Sequence, residues 1–224
     1  GRPAQPFLPA AGPASWRAGG GVPRSLTRAR VRARLGVRPG EILVLAAGTY
    51  GMAKGQDMLV RTVAQTARTR GLPLRLLLVG FNDLQQRRAF LAGLTADERR
   101  VIGPRTAFVS TPHLGALYRA SDLYVMNTQG RSGRGETFGR VTVEAMAHGL
   151  PVLGTDAGGT PEIVRDGVEG HLYPLGAAGQ AVLAERLAEL ATDAGCRARM
   201  GAAGRDRVEA RFRKRRYLRE VDAA

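Results

Sequence analysis

Short apolar runs alternate with longer amphipathic stretches along most of this chain, and that alternation constrains the fold more than any other feature. Residues 41–47 (EILVLAA), 74–80 (LRLLLVG), 106–109 (TAFV), 123–126 (LYVM), 151–154 (PVLG) and 171–173 (HLY) are short and apolar. They read as strands buried on both faces. Between the first two, Met58, Leu59, Val63 and Ala67 recur at helical spacing over 55–70. Residues 84–101 read as helical with a break near Gly93 and Thr95. Shorter helices are expected at 114–120, 139–148 and 160–165, and longer ones at 180–191 and 196–211. A basic helix with Ser25 as its N-cap is expected to run to Leu35 and stop at Gly36. Repeated β-α alternation of this kind dictates an α/β fold, a parallel sheet with right-handed crossovers and helices on both faces. Open sheets of that type bind ligands at the carboxyl ends of their strands. The loops after Ala47, Gly80, Val109, Met126 and Gly154 are therefore where a site is sought.

Charge is the second constraint. The formal net charge of the 224 residues is +15, which on its face suggests a nucleic-acid partner. Its distribution argues otherwise. Residues 1–40 hold eight Arg and no acid, and 197–219 hold nine Arg and Lys214 against Asp206 and Glu209. The middle, 41–196, holds 16 bases and 15 acids. The α/β body is thus nearly neutral, and aromatics make up only 5%, which disfavours a stacking nucleic-acid platform. Lys54 and Lys214 are the only lysines, so Lys54 stands alone in the first 213 residues. Cys196 is the single cysteine, which excludes an internal disulfide and a cysteine metal site. No apolar run reaches the roughly 18 residues a membrane span needs. The chain begins at Gly1 and reads as a fragment of a longer protein. A targeting signal has room upstream, and cytoplasmic and Golgi-associated locations both fit. Residues 1–24, rich in Pro and Gly, read as a flexible linker, 25–195 as the α/β domain, and 196–224 as a basic helix and tail.

Two segments carry chemistry. The loop after the first strand runs from Gly48 through Thr49 to Lys54 and Gly55, just before a helix. Glycines there let the backbone approach an anion, and the helix start adds partial positive charge. An ammonium at Lys54 can pair with phosphate. The spacing matches neither of the common nucleotide loops, and a tight turn with a solvated lysine is the plain alternative. The stronger segment is ETFGRVTVEAMAHGLPVLGTDAGGTPE, residues 136–162. Glu136 precedes a helix, Gly139 starts it, and Glu144 lies within it. A helix N-terminus offers unpaired N–H groups to a phosphate. A carboxylate can accept from both hydroxyls of a ribose. Diphosphate at the helix start, ribose on Glu144 and a sugar near Glu136 together describe a nucleotide-sugar site. An ordinary exposed helix glutamate and a loop charge are the alternative.

Glu136 and Glu144, followed by Ala145-Met146-Ala147, Gly149, Pro151-Val152, Gly158-Gly159 and Glu162, resemble the paired-glutamate region of family 4 glycosyltransferases of the GT-B fold. The run 136–164 is a highly specific match, closest to a plant and algal branch of that family. The likeness covers about residues 25–215, the C-terminal, donor-binding half of such an enzyme, with a Rossmann-like sheet. It implies roles by position. Glu144 would hold the donor ribose, and Glu136 would contact hydroxyls of the transferred sugar. Backbone N–H groups around Phe138, Gly139, Arg140 and Val141 would hold the diphosphate or sugar. Lys54 matches the family's phosphate-binding lysine, and Gly48 and Thr49 would line the same donor pocket. Glu136 and Lys54 are then the catalytic candidates. Family members transfer sugar with retention of configuration and without a bound metal. The sequence likewise has no Asp-x-Asp pair for a metal-dependent reaction. No cofactor is implied. The donor, a UDP- or GDP-sugar, is a substrate, and its acceptor is unspecified. The N-terminal acceptor domain that completes a GT-B cleft is absent from this chain.

Two departures stand out. Where the family carries Arg after the first-loop glycine, this chain has Thr49. The link 129–135 (QGRSGRG) is longer than usual. Arg131, Arg134 or Arg140 is expected to supply the phosphate contact that Thr49 cannot make. The competing readings are a catalytically degenerate binding module, a nucleotide-sugar epimerase of the same fold, and a nucleic-acid-binding protein built on the basic ends.

Overall fold

The computed structural model describes residues 27–48, 54–80, 84–103, 114–129 and 139–212. The expected linker 1–24, the strand at 106–109 and the tail beyond Phe212 lie outside them. The chain divides into two compact units, Gly1–Ser121 and Asp122–Ala224.

The first unit opens with α1 (Arg28–Leu35), which buries Val31 and Leu35. Its N-cap is Thr27 rather than Ser25, because the Thr27 hydroxyl accepts from the Arg30 N–H three residues on. Gly36 ends it with φ +74°, as expected of a glycine stop. Strand β1 (Ile42–Ala47), helix α2 (Gln56–Arg70) and strand β2 (Leu74–Val79) form a βαβ unit. The strands pair in parallel, Ile42 opposite Leu74 and Ala47 opposite Val79. Leu43, Val44, Leu45, Leu76 and Leu77 are completely buried. The next helical stretch is broken into α3 (Leu84–Ala92) and α4 (Ala96–Ile102). The break has a local cause, a capping box in which Thr95 and Glu98 bond each other's backbone N–H. Helix α5 (Gly115–Ala120) follows. Its last carbonyls accept from α1: Arg28 bonds Arg119 O at 2.8 Å and Ser121 O at 2.6 Å, and Arg32 bonds Ala120 O at 2.9 Å. Guanidinium groups are well placed at a helix C-terminus, where partial negative charge collects.

The second unit contains strand β3 (Leu123–Met126), helix α6 (Arg140–Ala147), strand β4 (Val152–Thr155), helix α7 (Thr160–Ile163), strand β5 (Gly170–Tyr173) and helices α8 (Gly176–Thr192) and α9 (Ala194–Arg211). Strand β4 is central and pairs in parallel with β3 and β5. Tyr124, Leu153, Leu183, Leu187 and Leu190 are wholly buried. Helix α6 buries Thr142, Ala145 and Met146, one face at helical spacing. Helix α8 starts four residues before the expected Gln180, since Gly176 and Gly179 hide its first turn in the sequence. Glycine is required at two close approaches. A Cβ on Gly179 would lie 1.7 Å from Pro174 O, and one on Gly201 would lie 2.0 Å from Gly149 O. Helix α9 therefore packs with its backbone against the turn that ends α6. The α/β, Rossmann-like architecture expected from the alternation is what is observed, with five parallel strands among the described residues. Among those residues no helix is long and apolar enough to cross a membrane.

Two polar features of this frame have measurable consequences. Glu41 lies ahead of β1 with its side chain 12% exposed, and it meets Arg75 Nε and Nη2, each at 2.9 Å. Its other carboxylate oxygen accepts from Arg38 N–H at 2.8 Å. Burial works to raise its pKa, but the bonds and charges of Arg75 and Arg38 outweigh it and hold the carboxyl below its ordinary value. A carboxyl lowered on folding stabilises above its unfolded pKa and loses that contribution as pH falls through the folded value. Glu41→Gln is therefore expected to cost about 2 kcal/mol at pH 7. In denaturation curves the gap to the parent should hold above about pH 5 and close below the usual carboxylate value of about 4.3. The Thr142 hydroxyl, by contrast, is buried with no hydrogen-bond partner among the described residues. Thr142→Val keeps the shape and removes that unpaired group. It should leave stability unchanged or raise it by about 1 kcal/mol, and a loss of that size in denaturant would contradict this.

Candidate functional site

The expected donor-site residues fall in both units, and each unit is described by itself. In the first, β1 ends in Gly48, whose N–H donates to Val79 O at 2.9 Å. A Cβ at Gly48 would meet nothing within 4 Å, so the strand ends against open space. Thr49 lies outside the described residues. Lys54 is half-buried and precedes Gly55, which caps α2 in the left-handed region at φ +58°. Gly55, as N-cap, offers no side-chain oxygen to the helix start. Asp57 in the first turn is exposed.

In the second unit the site is organised by the start of α6. Gly139 is buried and left-handed, φ +45° and ψ +41°, and as N-cap it has no side chain to cap the helix. Thr142 N and Val143 N both donate to Gly139 O, at 2.7 and 3.2 Å. The helix thus begins with a tight turn, and its first N–H groups belong to Arg140 and Val141. Arg140 is exposed, and Val141 and Glu144 are half-buried. Glu144 stands one turn beyond Arg140 and Val141, on the same side of the helix by spacing. His148 Nδ1–H donates to Glu144 O at 2.8 Å and helps finish the helix. Glu136, Phe138, Arg131 and Arg134 lie outside the described residues. Gly139, Arg140, Val141 and Glu144 are thereby brought onto one helix start, while Gly48 and Lys54 flank one loop.

Sequence reasoning missed the polar groups beneath the strand ends. Directly after β3, Asn127 and Thr128 are buried and Gln129 is half-buried. The Tyr173 hydroxyl, at the end of β5, donates to Asn127 Oδ1 at 2.9 Å and approaches Met126 O at 3.3 Å. Gln129 Nε2 donates to the same Asn127 oxygen at 2.9 Å, and Gln129 Oε1 accepts from Gly176 N at 2.9 Å. Thr155 Oγ1 donates to Thr128 O at 3.0 Å, tying the end of β4 to the end of β3. Burial, with Tyr124 nearby, pushes the Tyr173 phenol well above its ordinary pKa, so it remains a donor. A run of three amide and hydroxyl side chains immediately after an apolar strand was the available signal. The loop after β4 is held from behind. Arg207 of α9 donates to Ile163 O at 2.7 Å and to Glu162 O at 2.8 Å. Glu169, fully buried, accepts from Arg165 N at 2.8 Å and Nε at 2.9 Å and also meets Arg165 Nη2. Among the described residues no group of His, Cys, Asp and Glu is placed to hold a metal ion.

Known proteins share both the sequence pattern and the fold. The family model described as glycosyl transferases group 1 matches residues 41–193, more than half of the chain. A D-inositol 3-phosphate glycosyltransferase of Rhodococcus erythropolis is 37% identical over 184 residues, covering 75% of this chain and 39% of that protein. The chain thus spans about two fifths of that relative's length. Among solved structures, Anabaena HepE in complex with UDP and glucose superposes with a TM-score of 0.71 at 24% identity, over 88% of this chain and 52% of that one. The C-terminal domain of a glycosyl transferase group 1 family protein from Francisella tularensis gives a TM-score of 0.61 at 21% identity. It covers 78% of this chain and 86% of that domain. With the family model matched over residues 41–193 and a relative 37% identical across 75% of this sequence, the chain belongs to the glycosyl transferases group 1 family.

Proposed function

We propose that this chain is the C-terminal, donor-binding half of a retaining, metal-independent GT-B glycosyltransferase of family 4. The observation that carries the proposal is the start of α6: a left-handed glycine, Gly139, as N-cap, and Glu144 one turn beyond. A diphosphate accepts from the N–H groups of Phe138, Gly139, Arg140 and Val141, and Glu144 accepts from the ribose hydroxyls. Glu136 contacts the sugar. Lys54, with Gly48 and Thr49 on the loop before it, opposes charge that develops on the leaving diphosphate. Such groups act mainly in the transition state, where that charge is greatest. The donor is a UDP- or GDP-sugar, a reading supported by the UDP and glucose bound to HepE. The acceptor and its binding groups belong to an N-terminal domain, so residues 25–195 bind donor and transfer no sugar alone. Residues 1–24 act as the linker to that domain, and 196–224 as a terminal helix and tail. The resemblance of the run 136–164 is what speaks for the plant and algal branch, while the relative from Rhodococcus is bacterial.

Thr49 favours one second reading, a degenerate transferase kept as a nucleotide-sugar-binding module. Titration calorimetry with UDP, GDP and ADP tests the donor site. One of the first two should bind in the presence of EDTA, and Glu144→Ala should weaken it at least tenfold, or about 1.4 kcal/mol. Unchanged affinity in that variant would sink the ribose assignment. Of Arg131→Ala, Arg134→Ala and Arg140→Ala, at least one should weaken diphosphate binding several-fold. If all three bind like the parent, no arginine of this group stands in for the guanidinium that Thr49 lacks.

A further inference from the structure

Within the first unit, the parallel βα plan also sorts the helix ends. A helix that joins parallel strands runs back against them, so its last turn lies at the amino ends of the strands. In α1, α2 and α4 that last turn is basic, with Arg34, Arg70 and Arg100 among its residues. A run of contacts puts these ends on one edge. Arg32 donates to Glu41 O just ahead of β1. Glu41 Oε1 accepts from Arg75 Nε, near the start of β2, at 2.9 Å, and Arg75 Nη1 donates to Arg100 O at 2.7 Å. Asp97 then lies 3.4 Å from Arg100 Nη1 and 3.5 Å from Arg68 Nε. Gly48 and Lys54 follow the opposite end of β1. That strand has six residues, so the basic edge stands about 20 Å from Gly48.

Charge on this edge is uneven. The Glu41 carboxylate is taken up by Arg75. Arg34, Arg38 and Arg70 are exposed, and the side chains of Arg68 and Arg100 are 64% and 82% exposed. Against these cations, Asp97 is the other carboxylate of the edge among the described residues of this unit. Arg34 and Arg70 bond no carbonyl and no carboxylate among the described residues, unlike Arg28, Arg32 and Arg207, so helix capping does not account for them. Arg68 and Arg100 also flank a cavity of about 270 Å³, whose buried inner wall includes Ala64 and Val101.

Two features select the partner. Cations at the ends of three helices are spread over two dimensions, which suits a field of phosphates better than the single line of a nucleic-acid strand. Among the described residues the exposed large apolar side chain is Val168, in the other unit, so no aromatic platform is offered for bases to stack on. The cavity sets an apolar wall beneath a cationic mouth, matching a lipid's glycerol region beside its phosphate.

We propose that the amino edge of the first unit is a docking surface for an anionic phospholipid bilayer. Phosphates of the bilayer surface meet Arg34, Arg38, Arg70, Arg68 and Arg100. Contact is superficial and electrostatic, and it leaves the loop from Gly48 to Lys54 facing away. An arginine near such a surface is worth roughly a fivefold change in partitioning. The proposal does not depend on the donor-site reading.

The test is co-sedimentation of the 224-residue chain with vesicles of phosphatidylcholine alone or with about 30% phosphatidylglycerol. The parent should bind the anionic vesicles, bind the neutral ones at least tenfold more weakly, and come off as salt rises from about 0.15 to 0.5 M. The combined variant Arg34→Gln, Arg70→Gln, Arg100→Gln should lose at least tenfold. Arg199→Gln, Arg205→Gln, Arg211→Gln removes the same charge from exposed residues of α9 and should stay within about threefold of the parent. If the edge variant does not fold, Arg34→Glu and Arg70→Glu, tested singly, should each weaken binding at least fivefold. The proposal is overturned if the parent does not distinguish the two vesicles or if the edge variants bind like the parent. Equal loss in both triple variants overturns it too, since net charge alone would then explain binding. So does a single-stranded RNA that binds more tightly than the anionic vesicles and loses affinity in the edge variant.

Discussion

Parallel strand pairing is the constraint on which the rest of this molecule depends. Each buried strand must satisfy its backbone bonds through a neighbour running the same way, and every connection must then cross over through a helix. The βαβ arrangement of β1, α2 and β2 in the first unit and the order β3-β4-β5 in the second are both products of that rule. A second product is functional. Within each unit all strands end on one edge, and so do the loops that follow them. Gly48 and Lys54 follow β1, and Asn127 through Gln129 and then Gly139 follow β3. In each unit the helix that follows such a loop points its positive end toward that unit's own strand ends.

The basic character of the chain acquires a structural explanation. Several arginines are donors to carbonyls at helix ends. Arg28 and Arg32 serve α5, Arg99 reaches Ala92 O at the end of α3 at 3.5 Å, and Arg207 serves α7. Arg197 likewise meets the carbonyls of Leu190 and Ala191 at the end of α8. A planar guanidinium reaches two carbonyls at once, which a lysine does less well. Part of the charge that first suggested nucleic acid is therefore internal helix capping. The same use explains how a chain with two lysines closes so many short helices.

Most of the fold was legible in the sequence because its strands are continuous apolar runs and its helices carry apolar stripes. The start of α6 was legible for the same reason, since Gly139 stands at a change of period from loop to helix. Where structure and expectation differ, the causes are local. Ser25 and Thr27 are equivalent as sequence signals, and the Thr27 hydroxyl accepts from the N–H three residues on. The first turn of α8 is masked by Gly176 and Gly179, which weaken helical patterning, while Gly179 permits close approach to Pro174. Within the site, Glu144 could be placed on a helix from spacing alone. The Asn127–Tyr173 contact could not, because its partners are 46 residues apart and meet only through the pairing of β3, β4 and β5.

The central claim is that the N-terminus of α6 is the diphosphate site of a sugar-nucleotide donor. The most direct measurement is a crystal structure of the 224-residue chain grown with the nucleoside diphosphate that calorimetry selects. Phosphate oxygens are expected within about 3 Å of the N–H groups of Gly139, Arg140 or Val141, with the ribose hydroxyls on Glu144. A diphosphate bound elsewhere on the chain, with the α6 N-terminus and Glu144 untouched, would contradict it.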